Sequence, residues 1–163
     1  SENVRNHMGK KFTNDDIWYT FEMLSKYQIK NQCLILIGYA TETEEDHKMN
    51  LKAIDYVYEK GWGYGKKDKW DLFRWTFGNS LLLNEKHALF DLVKDDPSWQ
   101  WSSAMDWTYK ENDMATRLRR WKESIARVQL WDPEYQPSPT TARTIEITEE
   151  RLKNPDGPRF WSE

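Results

Sequence analysis

Cys33-Leu-Ile-Leu-Ile-Gly38-Tyr-Ala-Thr-Glu-Thr-Glu-Glu-Asp46 is the stretch that decides the fold. Five apolar residues, Cys33 through Ile37, are followed by a glycine, a short turn and a carboxylate-rich helix start. An apolar run this short, bounded by turn residues, predicts a strand buried on both faces. Thr43 and Asp46 stand at capping-box spacing and open the next helix. Ligands of α/β folds gather beyond the carboxyl ends of such strands, so one wall of a ligand site is expected in the turn after Ile37.

Outward from this stretch the pattern alternates. Before it, Thr13 and Asp16 form a second capping-box pair, and Ile17, Phe21 and Leu24 follow at helical spacing, predicting a helix over 14–27. After it, His47, Leu51, Ile54 and Tyr58 share one face of a helix over 44–59, and Gly61 stands where a left-handed cap belongs. The aromatic run Trp70, Leu72, Phe73, Trp75, Phe77 predicts a second strand, ended by Gly78-Asn79-Ser80. Residues 85–93 suit a short helix stopped before Pro97. Helix, strand, helix, strand, helix implies an α/β fold with a parallel sheet and right-handed crossovers.

The second half has a different texture. Trp99, Trp101, Trp107 and Tyr109 stand among small polar residues without a firm period, as a packed loop over one end of the sheet or as an aromatic platform for a flat ligand. Met114, Leu118, Trp121, Ile125 and Val128 recur every three or four residues and predict a helix capped by Asn112 or Asp113. That helix also carries Arg117, Arg119, Arg120, Lys122 and Arg127, a basic face expected to be solvated or to answer acidic neighbours. From Pro133 onward come five of the six prolines, which predicts a surface strap with an edge strand over 144–148. The chain accordingly divides into 1–96, 97–130 and 131–163.

At 163 residues, 15% of them aromatic, the chain can build one real core. A net charge of -3 predicts no general affinity for nucleic acid or anionic membrane. No apolar run approaches the roughly 18 residues of a membrane span, and no secretory signal is visible. The single cysteine, Cys33, sits in the apolar run and reads as a small buried hydrophobe. One cysteine allows no internal disulfide, in keeping with a cytoplasmic location, and cannot hold an iron–sulfur cluster or a cysteine-rich zinc site. The chain opens at Ser1 without an initiator methionine and reads as a fragment.

Searched for chemistry, the sequence offers no nucleophile elbow, no His-Glu-x-x-His and no exposed cysteine nucleophile. Glu44 and His47 have the Glu-x-x-His spacing of di-metal bundles, but no second copy exists, and a packing role is expected for His47. Gly61-Trp-Gly-Tyr-Gly65 comes after a helix rather than a strand, so it reads as a connection and not as a phosphate loop. Glu44, Glu45 and Asp46 belong to a helix start, where carboxylates are at home; Glu42 precedes the helix and is the carboxylate kept as a candidate base.

Two segments together resemble the second half of a radical SAM barrel, in the branch often fused to a cobalamin-binding domain. Ser1-Glu-Asn-Val-Arg-Asn-His-Met-Gly-Lys-Lys11 is similar to the segment that comes after the family's Glu-Ser-Gly at the end of its fourth strand. Leu34-Ile-Leu-Ile-Gly38-Tyr-Ala-Thr-Glu42-Thr-Glu-Glu-Asp46 is similar to the fifth strand and its Gly-Leu-Pro-Gly-Glu-Thr turn, with Ala40 and Thr41 in place of the proline and second glycine. The helix between them fits in length and order, and the segment from Thr116-Arg117 to Arg120 weakly resembles a helix after the barrel. The likeness covers about 1–60 well, extends to about 128 and stops at the tail.

The resemblance implies a partial (β/α) barrel with a helical and irregular C-terminal extension. It further implies S-adenosylmethionine and a 4Fe-4S cluster in the intact enzyme, with cobalamin as a further possible cofactor. There the cluster would cleave S-adenosylmethionine reductively, and the deoxyadenosyl radical would take hydrogen from a substrate. The family's Cys-x3-Cys-x2-Cys belongs to its first strand and is not in this chain, so the missing N-terminal half would be the partner that holds the cluster. By the same likeness Leu36 and Gly38 line the adenine, Gly38 by letting the backbone approach closely. Ser1 lies near the ribose or amino acid end, Glu42 belongs to the turn, and Asn79 contacts adenine through its backbone or amide. The segment alone is expected to be inactive, with strand edges left unpaired unless the tail or an oligomer covers them. The other readings are a non-catalytic interaction module with a tryptophan-rich surface, and a single-strand nucleic-acid site built from Arg117 to Arg127 and the tryptophans.

Overall fold

The structure, a computed structural model, describes residues 1–62, 73–79, 88–101 and 106–156. Its elements in chain order are α1 (Glu2–His7), α2 (Asn14–Lys26), β1 (Asn31–Ile37), α3 (Glu44–Glu59), β2 (Phe73–Asn79), α4 (Ala88–Val93), β3 (Gln100–Trp101), β4 (Trp107–Thr108), α5 (Met114–Trp131) and α6 (Pro139–Lys153). The fold is mixed α/β, with β1 and β2 paired in parallel as the alternation requires. The second strand is described from Phe73 and runs through Gly78 to Asn79, two residues past the expected end at Phe77. The predicted beginnings at 70–72 and 85–87, the 81–83 run and the 63–69 loop lie outside the described residues.

Both capping boxes form. Thr13 and Thr43 each accept from the backbone N–H three residues on, while Asp16 and Asp46 reach back to the cap N–H, so α2 and α3 begin where the sequence places them. Gly61, at φ +73°, ends α3 in the left-handed region.

Register explains the core. Cys33 pairs with Trp75 and Ile35 with Phe77, so these side chains share one face with Ile37. Onto that face pack Ile54, Val57 and Tyr58 of α3 and Trp121, Ile125 and Val128 of α5, with Trp18, Phe21 and Leu24 of α2 at the margin. The stripe predicted for α5 is therefore its buried face. The residues between, Gln32, Leu34 and Leu36, look the other way. Gln32 is exposed and hydrogen-bonded to Thr76, Leu34 is 61% exposed and Leu36 is half-buried. This corrects the expectation of a strand buried on both faces: among the described residues, helices cover only one.

The tail also differs from expectation. In place of a strap with an edge strand it forms α6, with Ser138 as N-cap and Pro139 at the first helical position, where the missing N–H is no loss. Its threonines fit because their hydroxyls bond back one turn, Thr144 to the Thr140 carbonyl at 2.9 Å and Thr148 to that of Thr144 at 2.7 Å. The tail covers an edge of the sheet in an unexpected way. Tyr135 and Thr141 donate to the carbonyls of Trp75 and Phe77, at 3.1 and 3.2 Å, two alternate positions on one edge of β2.

A second, smaller core joins Tyr39 and Ala40, just past β1, to Val93, Trp107 and Tyr109, with Val4, Met8 and Trp99 against it. Trp107 and Tyr109 are thus packed over the end of the sheet. The short β3–β4 ribbon, with Trp101 opposite Trp107, holds this cover in place.

Candidate functional site

The turn after β1 is built around one buried carboxylate. Gly38, at φ +80°, turns its N–H back to Glu42 Oε2 at 2.7 Å. The Asn50 amide, two turns into α3, donates to Glu42 Oε1 at 3.0 Å. From α5, the Arg120 guanidinium donates to the Glu42 carbonyl at 3.0 Å and approaches Oε2 at 3.4 Å. Glu42 is 2% exposed and Arg120 fully buried. Burial pushes the Glu42 carboxyl up to about 7, against the Gly38 N–H and the Arg120 charge, which favour the ionised form.

The rest of the turn is held as closely. A Cβ on Gly38 would lie 2.5 Å from Cδ of Arg117, so the space that glycine leaves is filled by that side chain. Arg117 stacks over Trp107, 3.8 Å from its ring centroid, and donates to the Asn112 carbonyl at 2.9 Å. Burial pulls it down to about 10. The Asn112 amide in turn donates to the Tyr39 carbonyl at 2.7 Å. On the other side, Asn3 of α1 donates to the Thr41 carbonyl at 3.0 Å and to Asp46 Oδ2 at 2.7 Å. Burial acts on Asp46 in the upward direction, but the Thr43 N–H, the Asn3 amide and the Ser1 hydroxyl outweigh it and hold its carboxyl below the usual range.

Acidic neighbours answer the basic face of α5. Arg119 and Arg120 reach Glu44 at 2.7 and 3.3 Å, Arg127 reaches Asp55 at 3.0 Å and Lys122 reaches Glu149 at 2.7 Å. Glu44, held below its ordinary pKa by the Arg119 hydrogen bond, is an ion-pair partner, and Asp46 is a cap. His47 packs between α3 and α5 with Nε2 2.8 Å from Glu123, and burial lowers its pKa, so Nε2 carries the proton as donor. Among the described residues no group of three or more His, Cys, Asp or Glu side chains could hold a metal ion.

Beyond the carboxyl end of β1 lies a cleft of about 530 Å³ between α1, the turn and the Tyr109–Asn112 bridge, lined by Asn3, His7, Thr41, Glu42, Lys110 and Glu111. The predicted site residues are distributed around this end of the sheet rather than gathered in one cavity. Glu42 lines the cleft while its carboxylate serves internal donors. Ser1 caps α1 through its hydroxyl, 3.3 Å from the Val4 N–H, and lines a different cleft along β1. Leu36 stands on the open face of the sheet beside Gly78, a partner with no side chain. Asn79 is the last residue of β2, opposite Ile37; its side chain lies outside the described residues. Cys33 packs at the core margin with its thiol pushed up to about 12 by burial.

Read alone, the sequence assigns Asn3, Asn50, Asn112 and, above all, Arg120 no role in this turn, although Asn112 stands out as a candidate cap and Arg120 as part of the basic face. A signal for the arginines was present: Arg117, Arg120 and Ser124 succeed each other at helical spacing beside the apolar stripe, which brings two guanidinium groups to a buried face. Compared with family models, curated proteins and solved structures, the chain matches none of them.

Proposed function

We propose that this chain is the C-terminal portion of a radical SAM enzyme and supplies part of the wall against which S-adenosylmethionine lies. The observation that supports this best is the one-sided sheet. Two parallel strands carry helices on one face, and on the other leave Leu34 exposed beside Thr76 and Leu36 half-buried beside Gly78. Strands taken from a closed (β/α) barrel present their inner face in this way. Gly78, opposite Leu36, contributes no side chain, which supports placing a flat ring against the backbone there.

In this reading bound S-adenosylmethionine, with a 4Fe-4S cluster held by the missing N-terminal half, supplies radical hydrogen abstraction. This chain binds and orients. Leu36 provides the apolar floor, and the backbone of Asn79 at the end of β2 lies toward the adenine. Ser1, which lines the cleft along β1, is assigned to the ribose or amino acid end. Glu42 acts as a positioning residue: it holds the Gly38 N–H and Arg120, and so fixes the turn that ends the wall. Gly38 contributes through that turn and through the room it gives Arg117.

The test is the reading frame upstream of Ser1 and the protein it encodes. The frame should carry Glu-Ser-Gly directly before Ser1 and a Cys-x3-Cys-x2-Cys further up. The extended protein, reconstituted anaerobically and reduced, should release deoxyadenosine, and Leu36→Asp should suppress that release while leaving the iron content unchanged. A frame without the cysteines, or a reconstituted protein that releases none, overturns the proposal.

A further inference from the structure

A second cleft, of about 440 Å³, lies between α1, α2, α3 and β1, and its walls include Trp18, Phe21, Ile35 and Trp75. Arg5 enters it from α1 and is the one basic side chain among its lining residues. The Arg5 side chain is only 11% exposed, and its Nε and Nη2 are buried with no hydrogen-bond partner among the described residues. These two nitrogens form one edge of the guanidinium, whose parallel N–H bonds match the two oxygens of a carboxylate.

No group among the described residues meets that edge. Glu2 stands 3.7 Å from Nη2, beyond hydrogen-bond reach, and is 60% exposed. Phe12 lies with its ring centroid 5.4 Å from the guanidinium carbon, a contact that offers nothing to in-plane donors. Ser1, also at this cleft, turns its hydroxyl to Asp46, and the Asp46 and Glu42 charges act on its amine. A buried donor pair without an acceptor is costly, and the cost is relieved when a ligand brings the acceptor.

We propose that this cleft binds a small organic monocarboxylate with an apolar body. The carboxylate bridges Arg5 Nε and Nη2, and the body lies among Trp18, Phe21 and Trp75. The volume falls within the range of small-molecule sites, and apolar walls with a few polar anchors are their usual lining. One guanidinium edge with no second basic side chain suits a single negative charge better than a phosphate dianion. The inference does not depend on the radical SAM reading.

The test uses the full 163-residue chain, with phenylacetate as probe and phenylacetamide and inorganic phosphate as controls. Calorimetry and the Arg5 Nε–Hε resonance report binding. Phenylacetate should bind saturably and move the Arg5 Hε signal, with the amide at least about tenfold weaker and phosphate silent. Arg5→Lys, which keeps charge and stem but loses the fork, should weaken phenylacetate about tenfold, and Arg5→Met should abolish its binding. Several results overturn the proposal: no saturable binding of phenylacetate, equal binding of the amide, phosphate binding as tight, or full affinity in Arg5→Lys. If Glu2→Gln moves the Arg5 Hε signal in the ligand-free chain, Glu2 already fills the edge and the proposal also fails.

Discussion

The chain writes the same capping box twice and uses it in two ways. Thr13 and Asp16 open α2 at the surface, where the box satisfies its own helix end and the Thr20 hydroxyl, one turn on, donates to the Asp16 carbonyl. Thr43 and Asp46 open α3 with the same bonds, but there Asp46 is buried and also takes the Asn3 amide, while the preceding turn encloses Glu42 and Arg120. A local code sets where a helix starts. Whether that start becomes part of a site depends on what the rest of the chain brings to it, here α1 from one side and α5 from the other.

The largest effect should come from cutting the α5 contribution. Arg120→Met leaves the Glu42 carboxylate and carbonyl without their buried cation and should destabilise the fold by about 4 kcal/mol, read from urea unfolding. A loss below about 1 kcal/mol would mean that the turn does not rely on α5. The same substitution at Arg119, whose partners are half-exposed, should stay within about 1 kcal/mol and serves as the control.

Next in size is a pH effect that separates the two carboxylates of one loop. The folded Glu42 pKa, near 7, lies above its ordinary value of 4.5, so between these limits the folded state keeps a proton that the unfolded chain has released. Stability should therefore fall as pH rises from about 4.5 to about 7, by about 3 kcal/mol in all, and then level off. Glu42→Gln should remove this limb, with the Asn50 amide turning to meet the new side chain. Asp46 is held low, so its contribution has the opposite sign: it is present above pH 3.8 and lost on further acidification. Depressed His47 also acts oppositely, losing stability as pH falls below 6.5, so the difference between the parent chain and Glu42→Gln isolates the Glu42 limb.

Gly38→Ala should cost about 2 kcal/mol, from the left-handed φ of +80° and from displacing Arg117 off its place under the turn. The companion Gly9→Ala, at φ +68° with open space around its Cβ position, isolates the backbone part and should cost about 1 kcal/mol. Equal losses at the two glycines would show that Arg117 yields at no cost.

Legibility in the sequence obeys the same division. Features coded within one or two helical turns could be read directly: both capping boxes, the bounds of α2, β1 and α3, the left-handed Gly61 and the stripe of α5. Features that depend on distant partners could not. Five apolar residues at 33–37 look alike whether one or two layers cover them, so the open face of Leu34 was invisible. Thr140 to Thr148 favour a strand by propensity, yet fold as α6 because their hydroxyls bond back along the helix and Ile145 and Ile147 pack inward. In the candidate site, Glu42 stood out by its position before the helix, whereas Arg120, 78 residues away, could be found only by knowing that α5 crosses the turn.

The smallest effect bears most directly on the two boxes. Thr13→Ala removes one N-cap hydrogen bond at the surface and should cost about 1 kcal/mol, the ordinary value for such a cap. Thr43→Ala removes the same bond, and with it the hydroxyl that orients Asp46 toward Asn3. Its cost should be about 2 kcal/mol, with the excess coming from donors of α1 that keep a poorer acceptor. The excess should shrink in an Asn3→Ala background, because the amide it depends on is then gone, while Thr13→Ala should cost the same in both backgrounds. A double-mutant cycle with no coupling between Thr43 and Asn3 would make the second box as local as the first, leaving α5 alone to hold the turn.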